Sequence, residues 1–210
     1  MDVGFYSFIE NLAIKLNRPL PGAEAQGKMA PKNRNYLNIN HNSLPQQSAV
    51  MLLLYPKNEE LYIAYFKRPE YNGPHSGQIA FPGGKAEPFD SSLQETAIRE
   101  TEEEFGISRQ KIDILGSLTK LYIPISNLEV TPFVGYILEP PEFIPNKKEV
   151  SYIIEIPIKK LTNNSFKTTK TKHRHNLDIE TPMYIFGNEE IWGATAMITS
   201  EFEEIIKETI

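Results

Sequence analysis

The chain has 210 residues, a formal net charge of −5, no cysteine, and 40% hydrophobic residues. That length suits one domain with a substantial core. The missing cysteines exclude disulfides, a thiolate metal centre and a cysteine nucleophile, and the acidic balance argues against broad nucleic-acid binding. The longest apolar run, Ala49 to Tyr55, is far too short to span a bilayer. The opening stretch MDVGFYSFIENLAIKL carries Asp2 and Glu10 without a basic n-region, so the expectation is no membrane segment, no signal peptide and a cytoplasmic location.

In chain order, residues 3–17 place Val3, Phe5, Tyr6, Ile9, Leu12, Ala13 and Leu16 at helical spacing and predict an N-terminal helix. Residues 18–48 are polar and punctuated by proline and glycine, which predicts a long loop. Strands follow over about 49–56 and 61–67, joined by the turn-like PKNEE. RPEYNGPHSGQ reads as a loop, IAF as a short strand, and PGG as its end. The strongest helix covers 91–105. Asp90, Ser91 or Ser92 can cap it, with Ser91–Gln94 and Ser92–Glu95 both fitting a capping box, and Gly106 suits its C-terminal stop. Strands are predicted at 112–121, 129–138 and 149–156, with EPPEFIP breaking the pattern before the last. Pro157 opens a short helix through Leu161. Residues 165–174 and 180–186 form a hairpin around HNLD, and a final helix covers about 191–208. With no internal repeat and no linker, the expectation is a single mixed α/β domain over residues 1–210.

Charge is uneven. Gly84 to Ile107 holds seven acids and two bases, whereas Lys159 to His175 holds six Lys or Arg and no acid. In the segment RETEEEFGI, four glutamates fall near a helix C-terminus, where the helix dipole and mutual repulsion both oppose them. On a helical wheel Leu93, Ala97, Ile98, Thr101 and Phe105 make an apolar face. Glu100, Glu103 and Glu104 sit at i, i+3 and i+4 beside it, while Glu95 and Glu102 point elsewhere. Such a trio costs stability unless a hard divalent cation binds. Mg²⁺ and Mn²⁺ favour oxygen ligands, and Mg²⁺ commonly sits between carboxylates and substrate phosphates.

Gly83-Gly84, then Arg99-Glu100 and Glu103-Glu104 with Gly106 two residues on, resemble the Nudix box, G-x5-E-x7-R-E-U-x-E-E-x-G-U with U apolar. Thr101 takes the first U position. One extra residue between Gly84 and Arg99 puts Asp90 or Ser91 where the box has its first, mainly structural, Glu. The resemblance implies an α/β/α sandwich around a mixed β-sheet and hydrolysis of a nucleoside diphosphate linked to another group. It implies that Glu100, Glu103 and Glu104 ligate Mg²⁺ or Mn²⁺, that Arg99 orients these glutamates, and that Gly83 and Gly84 let the loop approach the phosphates.

Upstream, KRPEYNGPHSGQIAFPGG resembles the signature of coenzyme A pyrophosphatases, a Nudix subfamily, roughly R-[SA]-x3-R-x3-G-x3-F-P-G-G. Arg68, Gly77, Phe81, Pro82, Gly83 and Gly84 fit its spacing; Pro69 and Gly73 replace the small residue and the second Arg. His75, Gln78, PFVG at 132–135 and IWGATA at 191–196 are likewise similar. The implied reaction cleaves CoA or a CoA derivative to 3′,5′-ADP and 4′-phosphopantetheine. Arg68 and His75 would bind substrate, and Glu103 or Glu149 would serve as base. Lys170, Lys172 and Arg174 alternate on one strand face, which suits either a solvated, exposed strand or contact with a phosphate, with His173 and His175 on the other face. Hydrolysis of ADP-ribose or NADH, or a non-catalytic nucleotide sensor, stays open as an alternative, and the resemblance is compatible with a homodimer.

Overall fold

A computed structural model describes residues 3–32, 41–73, 75–174 and 177–207. Helix α1 (Val3–Leu16) leads into a segment expected to be loop, but Gly22–Gly27 within it form a short helix, α2. Its sequence, GAEAQG, is too short to hold a helix alone. Glu201 holds it instead, accepting from the Gly22 amide at 3.2 Å and from Gln26 Nε2 at 2.8 Å. Ser200 Oγ donates to the Ala25 carbonyl at 2.8 Å.

Strand β1 (Gln46–Lys57) is the spine of the main sheet. It pairs antiparallel with β2 (Glu60–Lys67) at one end and with β4 (Gly83–Lys85) at the other. Its other edge pairs in parallel with β7 (Leu128–Tyr136), in a register running from Gln46↔Leu128 to Leu54↔Tyr136. β3 (Ile79–Ala80) and β8 (Tyr152–Pro157) pair with β2, and β5 (Asp113–Ser117) and β6 (Leu121–Ile123) pair with β7. The sheet is therefore mixed. The run AVMLLLY is apolar throughout because β1 is buried on both faces. Leu52 and Leu54 join the core beneath α1 and the C-terminal helix, while Ala49, Met51, Leu53 and Tyr55 join the core beneath α3 (Leu93–Phe105). This gives the expected α/β/α sandwich.

A short helix, α4 (Ile158–Leu161), follows β8. β9 (Lys167–Arg174), β10 (Leu177–Phe186) and β11 (Glu189–Trp192) form a second, antiparallel sheet. The tip of the expected hairpin, residues 175 and 176, lies outside the described residues, as does 33–40 of the expected loop. Helix α5 (Gly193–Lys207) starts two residues later than expected, because residues 189–192 pair with β10 and Gly193, at φ 65°, turns the chain. The predicted strand 112–121 ends at Ser117, and the PGG expected to end a strand contributes both glycines to β4. Among the described residues no helix is long and apolar enough to cross a membrane.

Candidate active site

Helix α3 carries most of the candidate chemistry. Ser92 caps it, its hydroxyl accepting from the Glu95 amide at 3.2 Å, and Gly106 closes it at φ 71°. Thr101 is tolerated on the apolar face because its hydroxyl returns to the Ala97 carbonyl at 2.7 Å. Of the three possible caps, Asp90 is used otherwise. Its carboxylate accepts from Arg99 Nε at 2.9 Å, from Arg99 Nη2 at 3.0 Å, from Thr96 Oγ1 at 2.8 Å and from the Glu87 amide at 3.0 Å. The Arg99 guanidinium, followed by the other hydrogen bonds, holds the Asp90 carboxyl well below the usual range. In return Asp90 and Glu100 push Arg99 further up.

Clamped by Asp90, Arg99 turns Nη1 toward the glutamates, donating to Glu100 Oε1 at 2.8 Å and to Glu103 Oε2 at 3.2 Å. The mutual repulsion of the trio is thus partly offset by one guanidinium. Glu104 lies elsewhere: it is 3% exposed, and its carboxylate accepts from the Gly83 amide at 2.9 Å. Burial pushes its pKa up to about 8 against the opposing pull of the Gly83 amide and Arg68, and the charges of Glu100 and Glu149 add to the rise. Burial also raises Glu100, and the charges of Glu103 and Glu149 add to it. Glu149 lies in the turn before β8, its amide bonded to the Asn146 carbonyl. Glu102 points away from this group as expected and accepts from the Arg109 amide at 3.0 Å.

The loop 82–85 meets these side chains closely. Gly83 has φ 155°, and a Cβ there would strike the Ala49 carbonyl and Val50 Cα of β1. A Cβ on Gly84 would strike the Glu100 carboxylate. Ser48, which the sequence did not single out, donates to the Gly84 carbonyl at 2.6 Å, and Arg99 Nη2 reaches the Lys85 carbonyl at 3.3 Å. Arg68 sits over Phe66, 5.3 Å from its centroid, with its amide bonded to the Gln78 carbonyl. His75 adopts φ 65°, and its Nδ1 lies 3.1 Å from Gln78 Oε1.

A cavity of about 780 Å³ joins these groups. Arg68, His75, Gly83, Gly84, Glu100, Glu104 and Glu149 line it, while Glu103, its side chain 52% exposed, does not. The β6–β7 segment adds apolar wall through Ile123, Ile125 and Leu128, and the second sheet adds Lys172 and Trp192. Lys170 and Lys172 share a face as expected, and both pair with Glu190 at 2.6 Å. His173 pairs with Asp178 at 2.8 Å; the Arg174 side chain and His175 lie outside the described residues.

The model of the NUDIX domain matches residues 45–172. The chain belongs to the Nudix family. The uncharacterised Nudix hydrolase NudL of Yersinia pestis (strain Pestoides F) is 34% identical over 169 residues, covering 80% of this chain and 84% of that protein. NudL of Yersinia pseudotuberculosis serotype O:1b gives the same figures. Among solved structures, the Nudix hydrolase RenU of M. smegmatis superposes with a TM-score of 0.54 at 13% identity, covering 86% of this chain and 94% of that one. A Nudix hydrolase from Nitrosomonas europaea superposes at 0.51 with 18% identity, covering 80% and 73%. These two similarities bear on the fold alone.

Nudix hydrolases act on nucleoside diphosphate derivatives and generally use divalent ions such as Mg²⁺ or Mn²⁺. Among the described residues no three of His, Cys, Asp and Glu already converge on one point. Glu100 and Glu103 are turned onto Arg99, and Glu104 onto Gly83. The donor chemistry nevertheless fits a hard cation: the groups are all oxygen donors, and the desolvation of the buried Glu104 carboxyl outweighs the opposing pull of the Gly83 amide and Arg68.

Proposed function

We propose that this Nudix hydrolase cleaves the diphosphate linkage of coenzyme A, or of a CoA derivative, to 3′,5′-ADP and 4′-phosphopantetheine. One observation carries the reading. The carboxylates of Glu100, Glu104 and Glu149 meet Arg68 and the Gly83–Gly84 turn in a cavity that continues along an aliphatic wall. Its volume of about 780 Å³ is in the range of cofactor sites. The acidic side accepts a diphosphate once a cation is present, and the aliphatic side suits a long unbranched arm. The signature residues Arg68, Gly77 and Phe81 to Gly84 favour CoA over ADP-ribose or NADH.

Glu100, Glu103 and Glu104 would hold Mg²⁺ or Mn²⁺. The bound ion supplies charge neutralisation at the diphosphate and a more acidic water. Arg99, fixed by Asp90, holds Glu100 against the Gly84 turn and reaches Glu103 with the same nitrogen. Arg68 offers its guanidinium to a phosphate oxygen beside Glu104. Glu149, which belongs to the cavity wall and is coupled electrostatically to Glu100 and Glu104, accepts the proton of the attacking water; Glu103 is the alternative base.

The test is incubation with CoA, ADP-ribose and NADH in Mg²⁺ or Mn²⁺, with the products identified by mass. Release of 3′,5′-ADP from CoA in preference to cleavage of the others supports the reading. Efficient cleavage of ADP-ribose with none of CoA refutes it, and ligand-induced stabilisation without any product would identify a sensor.

A further inference from the structure

The basic strand β9 plays no part in the chemistry above, yet Lys172 lines the same cavity as the glutamates. Its surroundings differ from those of Arg68. Arg68 is the cation whose charge acts on Glu104, whereas Lys172 acts on Glu190. Glu190 is a single carboxylate serving two ammonium groups, Lys170 and Lys172, each at 2.6 Å, so the trio retains one positive charge. Lys172 is also held from beneath: its ammonium lies over the Trp192 ring, 5.3 Å from the centroid, and Trp192 is itself part of the wall. The register explains the placement. Lys172 opposes Ile179 and Trp192 opposes Met183, which puts both side chains on the inward face of the second sheet. The wall beside it includes Lys32, from the segment after α2, whose amide is tied to the Glu180 carbonyl at 2.9 Å and whose ammonium is paired with the Glu180 carboxylate, so of these two lysines Lys172 is the one with charge to spare.

We infer that Lys172, braced on Trp192, binds a second phosphate of the substrate, a monoester separate from the diphosphate that is cleaved. This deepens the proposed function and rests on it for the identity of the nucleotide. The preferred substrates are nucleoside diphosphates bearing an additional phosphate monoester, as CoA does on its ribose. ADP-ribose and NADH lack that group and leave the excess positive charge of Lys170, Lys172 and Glu190 unmatched. Trp192 acts as a positioning residue, since its ring fixes the direction of the ammonium.

The experiment compares two probes that differ by that phosphate alone, 3′,5′-ADP and AMP, by titration calorimetry on the full chain with Mg²⁺. The wild type is expected to bind 3′,5′-ADP about tenfold more tightly, as for one charged hydrogen bond. The preference should fall to near parity in Lys172→Gln and return in Lys172→Arg. Parity in the wild type, or a preference that survives Lys172→Gln, overturns the inference. CoA turnover measured alongside separates the two ideas. A protein that prefers 3′,5′-ADP but leaves CoA intact keeps the phosphate subsite and loses the CoA reading. A protein that cleaves CoA but binds the two probes equally keeps the CoA reading and loses the subsite.

Discussion

Glu104 makes the stability of the metal-free protein depend on pH with an unusual sign. Its carboxyl is 3% exposed and titrates near 8, against 4.5 for a free glutamate. A folded-state value above the unfolded one means that the native state binds the extra proton between these limits. Stability is then fully present below about pH 4.5 and is lost as pH rises through about 8. The gap corresponds to about 5 kcal/mol at high pH, and to a loss of roughly 2 to 3 kcal/mol between pH 6 and pH 9. In a chain of this size that is roughly 5–10 °C in melting temperature. Glu104→Gln keeps an oxygen to accept the Gly83 amide but cannot ionise. In EDTA the variant should melt above the wild type at pH 9, with the difference shrinking toward pH 6. Addition of Mg²⁺ should restore the wild type and leave the variant unchanged. Scanning calorimetry across pH 6–9 checks this, and parallel curves for the two proteins would refute the argument that burial, rather than some other group, sets the slope.

Glu103→Gln should lower kcat by about 10²-fold or more with the melting curve unchanged, since Glu103 is half exposed and carries little of the fold. Asp90→Asn breaks a covered pair, 14% and 4% exposed on its two sides, and should cost about 3 kcal/mol by denaturant titration. It should also lower kcat, because Arg99 loses its clamp. The two glycines should separate fold from chemistry. In Gly83→Ala the new methyl meets β1 backbone at a left-handed φ and should destabilise by about 3 kcal/mol. In Gly84→Ala it meets only the flexible end of Glu100, so melting should hold while turnover falls.

The elements legible in the sequence are those whose causes are local. The caps Ser92 and Gly106, the apolar face of α3 and the doubly buried run of β1 are all written within a few residues of where they act. The spacing of Glu100, Glu103 and Glu104 was equally plain, but their different environments were not. Glu104 is buried because the Gly83 amide crosses to it from β4, a contact no helical wheel contains. Strand β4 is not legible in the sequence because two of its three residues are glycine, poor strand formers that pair here because β1 lies alongside. Helix α2 depends on Glu201, which is 179 positions from Gly22. The alternation of Lys170 and Lys172 placed them on one face; the Glu190 they share and the Trp192 beneath Lys172 come from β11, whose four residues run into the final helix without a turn signal ahead of Gly193.

The buried Glu201 has a reach that the boundaries of the family match conceal. Its two oxygens fasten α2 to α5 and also accept the Thr119 amide at 3.2 Å, so one side chain stitches the beginning, middle and end of the chain together. Pro31 and Lys32, which follow the stretch that this stitch anchors, form cavity wall from before the first boundary, and Trp192 to Thr195, Met197 and Ile198 form wall from beyond the other. A fragment excised at residues 45 and 172 would keep every glutamate of the acidic helix and lose the walls that both ends of the chain fold back to supply.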